Sequence, residues 1–552
     1  MRFFEKKTLL LIAIKTILLA ISYEFVFRSL LLPRLEIFGF FFVIVLVCEL
    51  IEKKIVFTEK ISFRHFNRFE IILISTVILL CTFSFVFVHW ALGVFPLDNA
   101  DRVIMTLRMP VEGFTSLFVV DFFKSSSFFG IVLFLFTFFF FIKIFKFYRN
   151  KKITFLIPIL CFLTIDAYWI GHNIPQSSLK QYVEFVFSEP PPPDKSQFFE
   201  DNFTPVQDTL VSVDGNTKNL IVIFLESIEN IFFEYMPELK KIAQENYSFN
   251  NGPALGGGYS VVGTTFTMSS IIANTTGLPL LFFSRAVEKV SNSGAYIYFP
   301  NQKSIYDILH NYDYKNVFLQ GTSSSFAGKR SFFVNHGIDQ IYDVDNIELP
   351  KETSFDKYMS DFHPGFSDRT LFDVAKSILD TISDKKFSLT MLTVDTHFPH
   401  GFLDEKCPIK PSDKTEAEVY KAILKCTSLN VASFVDWVKQ QPYGENTMIV
   451  LIGDHPFMGN MLVEGVAPED RKFVNVYINP QRVVPNTQRT VTAFDTYPTI
   501  LEGMGFLVNG GRLAFGQSLF SENETLIEKM GKDSLERELK KIMNSKDYQN
   551  IL

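Results

Sequence analysis

Met448-Ile449-Val450-Leu451-Ile452-Gly453-Asp454-His455-Pro456 decides the fold. Five apolar residues in a row, too short a run for a buried helix, end in a carboxylate and an imidazole. A matching run lies far upstream, where Leu220-Ile221-Val222-Ile223-Phe224-Leu225 stops at Glu226. Buried strands that each release a metal-binding side chain at their end are how an open α/β sheet assembles a site along its carboxyl edge.

Between and around these runs, strand-like stretches at 316–320 and 387–394 alternate with helix-like patterns at 267–274, 370–382 and 416–440. The alternation predicts one large α/β domain over 219–525, with a mostly parallel central sheet covered on both faces. The stretch 526–552 reads as a charged, amphipathic tail with the pattern of a surface helix.

The first third differs. Apolar stretches at 8–31, 35–51, 70–93, 127–148 and 153–171 approach or exceed the roughly 20 residues a helix needs to cross a bilayer, which predicts a five-helix transmembrane bundle over 1–171. Lys6 and Lys7, the group from Lys53 to Arg68, and the group from Lys143 to Lys152 mark the cytoplasmic side. Arg28 and Arg34 run against that assignment. With five spans, everything after about 172 lies outside the cytoplasm. Residues 172–218, polar and containing Pro190-Pro191-Pro192-Pro193, read as a stiff extracytoplasmic linker.

Formal net charge is only −6 and no basic run interleaved with aromatics occurs in the outer domain, which excludes nucleic acid as a partner. Cys407 and Cys426 fall in the outer domain, where an oxidising compartment pairs cysteines; the alternative is two free thiols.

Glu226, Asp454 and His455 offer two oxygen donors and a nitrogen to one divalent ion. The segment from Gly256 to Ile272 supplies what such a site lacks, a hydroxyl nucleophile at Thr264, Thr265 or Thr267. Glycines permit close approach, and a helix starting at Thr267 would present free amides to a phosphate. In the plainer reading Thr267 is only the N-cap of that helix.

Taken together, Leu225-Glu226-Ser227, the threonine turn closing in Gly277-Leu278-Pro279-Leu280, and Asp454-His455 resemble the sulfatase superfamily, in particular lipoteichoic acid synthase and the phosphoethanolamine transferases. Phe326-Ala327-Gly328-Lys329, His336-Gly337-Ile338-Asp339, the run Thr393-Val394-Asp395-Thr396-His397-Phe398-Pro399-His400 and Phe494-Asp495-Thr496-Tyr497-Pro498-Thr499 are most similar to the membrane phosphoglycerol transferases that decorate periplasmic glucans.

That resemblance implies an alkaline-phosphatase-like domain on the outer face of the bacterial cytoplasmic membrane. It implies a metal, Mn2+ or Mg2+ with Zn2+ also compatible, held by Glu226, Thr267, Asp454 and His455. Thr267 ranks first as nucleophile by counting back from Gly277-Leu278-Pro279; counting forward from Gly263 gives Thr265, and the phosphoethanolamine enzymes point to Thr264. His397 and Lys329 would bind substrate, whereas His336 and Asp395 carry no catalytic expectation. The implied reaction moves phosphoglycerol from phosphatidylglycerol to a glycan or glycolipid through a phosphothreonine. Phosphoethanolamine transfer and a catalytically inactive envelope scaffold are the competing readings.

Overall fold

The structure is a computed structural model, which describes residues 194–552 except 208–210, 214, 250–255, 282–297, 348–364, 399, 460, 485–486, 544 and 552, together with 75–87, 130–135, 137–138 and isolated positions between 163 and 180. The chain divides into two compact units, 1–103 with 115–187, and 104–114 with 188–552.

In the first unit, residues 75–87 and 130–135 are helical and fall within the predicted spans 70–93 and 127–148. Leu79, Leu80, Phe83, Phe87, Ile131 and Leu135 are exposed, while Ile78, Phe85, Val86 and Leu133 are buried. No helix among the described residues is long and apolar enough to cross a membrane. The predicted spans 8–31 and 35–51 and most of 153–171 lie outside the described residues.

In the second unit, six strands form the central sheet: β1 Asn219–Leu225, β2 Lys315–Gln320, β3 Gln340–Tyr342, β4 Phe387–Leu392, β5 Thr447–Gly453 and β6 Asn475–Ile478. Their order is β3-β2-β4-β1-β5-β6, parallel throughout except for the antiparallel β5–β6 pair. β1 is buried along its whole length because both faces are covered. Leu220, Val222 and Phe224 enter one core and Ile221, Ile223 and Leu225 the other, the two-residue alternation of a strand inside a three-layer sandwich.

The helices between Asn219 and Met504 among the described residues are α1 Pro237–Glu245, α2 Thr267–Thr276, α3 Ile305–His310, α4 Lys329–Asn335, α5 Asp368–Ile382, α6 Glu416–Lys439 and α7 Ala493–Met504. Buried residues of α2, α3, α4 and α7 fill the first core; those of α1, α5 and α6 fill the second.

Two boundaries differ from expectation. The second half of the predicted linker is packed: Gln197–Asn202 is helical with Phe198 against Phe515, and Val211–Val213 pairs with Phe506–Val508. Polar composition hid this because only a few aromatics make the contact. The stretch 526–551, read as a charged tail, forms three helices with Leu535, Leu539, Ile542 and Tyr548 buried in the first core. Lys529, Arg537, Lys540 and Lys541 stay exposed. Tyr548 donates its hydroxyl to the Pro279 carbonyl (2.6 Å) and accepts from the Leu281 amide (3.1 Å).

Candidate active site

The register Leu225↔Gly453 brings the next residues, Glu226 and Asp454, side by side at the carboxyl edge of the sheet. His455 follows at once. Nε2 of His455 lies 3.4 Å from Oε1 of Glu226 and 3.5 Å from Oδ2 of Asp454, and all three side chains are buried. They are the one group of three metal-type ligands found among the described residues.

Each side chain is aimed by its neighbours. Nδ1 of His455 donates to the Pro456 carbonyl at 2.9 Å; a carbonyl can only accept, so Nδ1 carries a proton and Nε2 faces the cluster. One oxygen of Asp454 accepts from the Ser227 amide (2.7 Å) and the His455 amide (2.8 Å). The other, Oδ2, is buried and has no hydrogen-bond partner. Ser227, at φ 55°, turns the chain sharply after β1, and its hydroxyl donates to Oε1 of Glu226 at 2.8 Å.

The structure brings Thr267 into this cluster. Its Oγ1 is 3.4 Å from Oε2 of Glu226 and 3.4 Å from Nε2 of His455. The plainer reading of this residue is overturned: the N-cap of α2 is Phe266, whose amide is met by the Ser269 hydroxyl (3.1 Å), so Thr267 is the first helical residue and its hydroxyl does no capping. Thr264 is buried, with Oγ1 accepting from the Val261 amide (2.9 Å) and donating to the Val261 carbonyl (2.8 Å). Thr265 is half-buried in the same turn.

Lys329 is 4 % exposed, which removes the reading of a solvated surface lysine. Consecutive left-handed residues, Ala327 (φ 57°) and Gly328 (φ 72°), fold the chain back so that Nζ donates to the Phe326 carbonyl at 3.0 Å. Burial pushes its ammonium down to about 8, against the attraction of Glu226, Asp454 and Asp343. His397 is half-buried, with Nδ1 donating to the Phe398 carbonyl at 2.6 Å. Its charge bears on Glu226. His336 instead binds Asp307 (3.0 Å) and the Tyr298 carbonyl (2.8 Å), a buried structural role.

Residues 218–506 match the Sulfatase family. The chain belongs to that family. It is 33 % identical over 317 residues to phosphoglycerol transferase I of Escherichia fergusonii, a match covering 54 % of this chain and 39 % of that relative. The matched stretch thus spans about two fifths of the curated relative's length. Among solved structures, a protein of the alkaline phosphatase superfamily from Vibrio parahaemolyticus has TM-score 0.43 and 24 % identity, covering 55 % of this chain and 72 % of that one. The lipoteichoic acid synthase LtaP from Listeria monocytogenes has TM-score 0.42 and 18 % identity, covering 56 % and 78 %.

In this sulfatase-family site, burial alone would strip the charges from its ligands. Burial and the Glu226 charge raise Asp454 to about 7. Burial favours neutral His455, yet Asp454 and Glu226 hold its imidazolium up to about 9. Burial also pushes Glu226 upward, but the charges of His455 and His397 and the bonds from His455 and Ser227 outweigh it and hold the carboxyl below its usual range. Two carboxylates converging on a proton held by an imidazole form a pocket that requires positive charge. The donor set and the unpartnered Oδ2 of Asp454 fit a divalent ion.

Sequence reasoning missed the brace behind His455. Glu229 accepts from the Phe457 amide (2.7 Å) and pairs with Arg471 through Nε (2.9 Å) and a second nitrogen (2.5 Å). Leu225-Glu226-Ser227-Ile228-Glu229 carried the signal, a second acid beside the ligand, but its partner is 242 residues away.

Proposed function

We propose that this chain is a membrane-anchored phosphoglycerol transferase. It takes the group from phosphatidylglycerol and delivers it to an extracytoplasmic glycan or glycolipid through a phosphothreonine at Thr267. The observation that carries this reading is the position of the Thr267 hydroxyl, free of capping and 3.4 Å from both Glu226 and His455. The relative's name supplies the transferred group, and the family's fold supplies the frame. The exposed apolar face of residues 75–87 supports membrane anchoring.

Glu226, Thr267, Asp454 and His455 would hold the divalent ion. When bound, that ion lowers the pKa of a coordinated hydroxyl and offsets charge on phosphoryl oxygens. Oγ1 of Thr267 gives its proton to solvent and attacks the phosphorus of the lipid; the bond from phosphorus to the diacylglycerol oxygen breaks, and that oxygen takes up a proton for which His397 is the candidate donor. An acceptor hydroxyl then returns a proton to His397 as its oxygen attacks the same phosphorus; the bond from phosphorus to Oγ1 breaks, and Oγ1 takes a proton from solvent, restoring Thr267. The amino end of α2 and the Lys329 ammonium favour the anionic group throughout.

Peptide mass spectrometry of the full chain in detergent tests this. After incubation with Mn2+ and phosphatidylglycerol, a phosphoglycerol adduct on the Thr267 peptide is expected, absent in Thr267→Ala. A phosphoethanolamine adduct formed from phosphatidylethanolamine alone would replace the donor. No adduct from either lipid would leave the inactive scaffold.

A further inference from the structure

One residue of the site, Glu226, is gripped at both of its flanking peptide bonds. The Glu226 amide donates to Oγ1 of Thr393 at 2.9 Å, and the Glu226 carbonyl accepts from Oγ1 of Thr396 at 2.5 Å. Both threonines are fully buried. Neither is a ligand. They lie on the turn that leaves β4, the strand adjacent to β1, and the same turn carries His397, whose amide donates to the Val394 carbonyl at 2.9 Å.

The grip has a reason in the residue that follows. Ser227 sits at φ 55°, a left-handed conformation that disfavours a side chain and persists only where surroundings over-determine it. Left to relax, the chain would turn Ser227 out of that conformation. Its amide would then leave Asp454 and its hydroxyl would leave Glu226, so both carboxylates would lose orientation together. Thr396 holds the peptide between Glu226 and Ser227 by its carbonyl and Thr393 holds the preceding peptide by its amide, which together remove that freedom.

The turn is itself braced. Asp368, the first residue of α5 and fully buried, accepts the amides of Val394 (2.7 Å) and Asp395 (3.2 Å), while Asp395 accepts the Asp368 amide at 3.1 Å. Tyr420 of α6 donates to the Thr396 carbonyl at 2.8 Å. Two helices on one face of the sheet therefore set the height of Thr393 and Thr396 against β1.

We propose that Thr393 and Thr396 are positioning residues that set the metal-binding geometry of Glu226, and that through the shared turn they tie it to the position of His397. The proposal rests on the reading of Glu226, Asp454 and His455 as metal ligands, but not on the identity of the transferred group.

The test is Mn2+ affinity, measured by calorimetry on the full chain in detergent, with thermal melting of the metal-free protein as the structural control. Thr396→Val keeps the shape and removes the donor. It should weaken Mn2+ binding by roughly ten- to a hundredfold, the range for partners that orient metal ligands. Thr396→Ser, which keeps the hydroxyl, should recover affinity to within about threefold of wild type if orientation is what matters. Thr393→Ser against Thr393→Val repeats the comparison at the amide side and serves should Thr396→Val fail to fold. Valine variants that bind Mn2+ as wild type does, or serine variants as weak as the valine ones, would overturn the proposal. Wild type that binds Mn2+ but takes up no phosphoglycerol would sink the transfer reading while leaving the affinity comparison intact.

Discussion

Thr264 and Thr267 stand three residues apart, one in the turn and the other opening α2, yet their hydroxyls have opposite fates: Thr264 bonds both the amide and the carbonyl of Val261, whereas Thr267 reaches Glu226 and His455. Thr267→Ala should abolish the covalent adduct with folding intact. Thr264→Ala should keep the adduct and lose about 1–3 kcal/mol of stability, the cost of leaving buried backbone groups unpaired. Mass spectrometry and urea denaturation read the two effects separately. An adduct persisting in Thr267→Ala would move the nucleophile to Thr265.

The unpartnered Oδ2 of Asp454 predicts metal-linked stability. Divalent ion at about a hundred times its Kd should stabilise wild type by roughly 2.7 kcal/mol. Asp454→Asn should abolish most of that gain while being no less stable than wild type without metal, because an amide relieves the crowding of buried carboxylates. Thermal melts with and without EDTA check both halves.

Lys329 predicts a pH window. Its ammonium lies near 8 in the folded protein against 10.5 when exposed, so between those values the unfolded chain binds more protons and stability rises with pH. Below pH 8 both states are protonated and the burial penalty is fully present. Relative to Lys329→Met, wild type should therefore gain at most about 1.4 kcal/mol per pH unit across that window. Urea midpoints at pH 7, 8, 9 and 10 would show it. Phosphate recognition should weaken over the same range, since the cation is disappearing.

Cys407 and Cys426 form a disulfide, with Cα atoms 6.1 Å apart, linking the segment after His397 to α6. A bridge closing a loop of this size is worth about 3 kcal/mol. The double Cys→Ser variant should melt lower by that order and show a raised KM, with Mn2+ affinity unchanged because no metal ligand lies within the loop. A loss of Mn2+ binding would show that the loop supports the ligands after all.

Much of this architecture was legible from run-ends. Apolar runs at 220–225 and 448–452 predicted β1 and β5 with the carboxylates that follow them, because strands buried on both faces are mostly apolar along their length. Helical periodicity placed α5 and α6 within two residues of Asp368–Ile382 and Glu416–Lys439. The braces were not legible. Thr393, Thr396 and Asp368 act through backbone groups 26 to 170 positions distant, and a hydroxyl that bonds a main-chain atom leaves no pattern in the sequence around it. Ser227 was hidden likewise: nothing local tells that a serine adopts φ 55°. Burial of Lys329 came from tertiary packing, which composition cannot show.

The strand order also bears on how the protein is made. β1 is the first of the six strands to be synthesised and lies in the interior of the sheet, yet its two neighbours, β4 and β5, begin at Phe387 and Thr447. Until those residues emerge, a seven-residue strand with six apolar residues has both edges unsatisfied. Pairings this distant in sequence form slowly and expose aggregation-prone edges while they wait. A nascent chain halted before Thr447 would therefore present an open β1 edge, a natural target for chaperones and quality-control proteases.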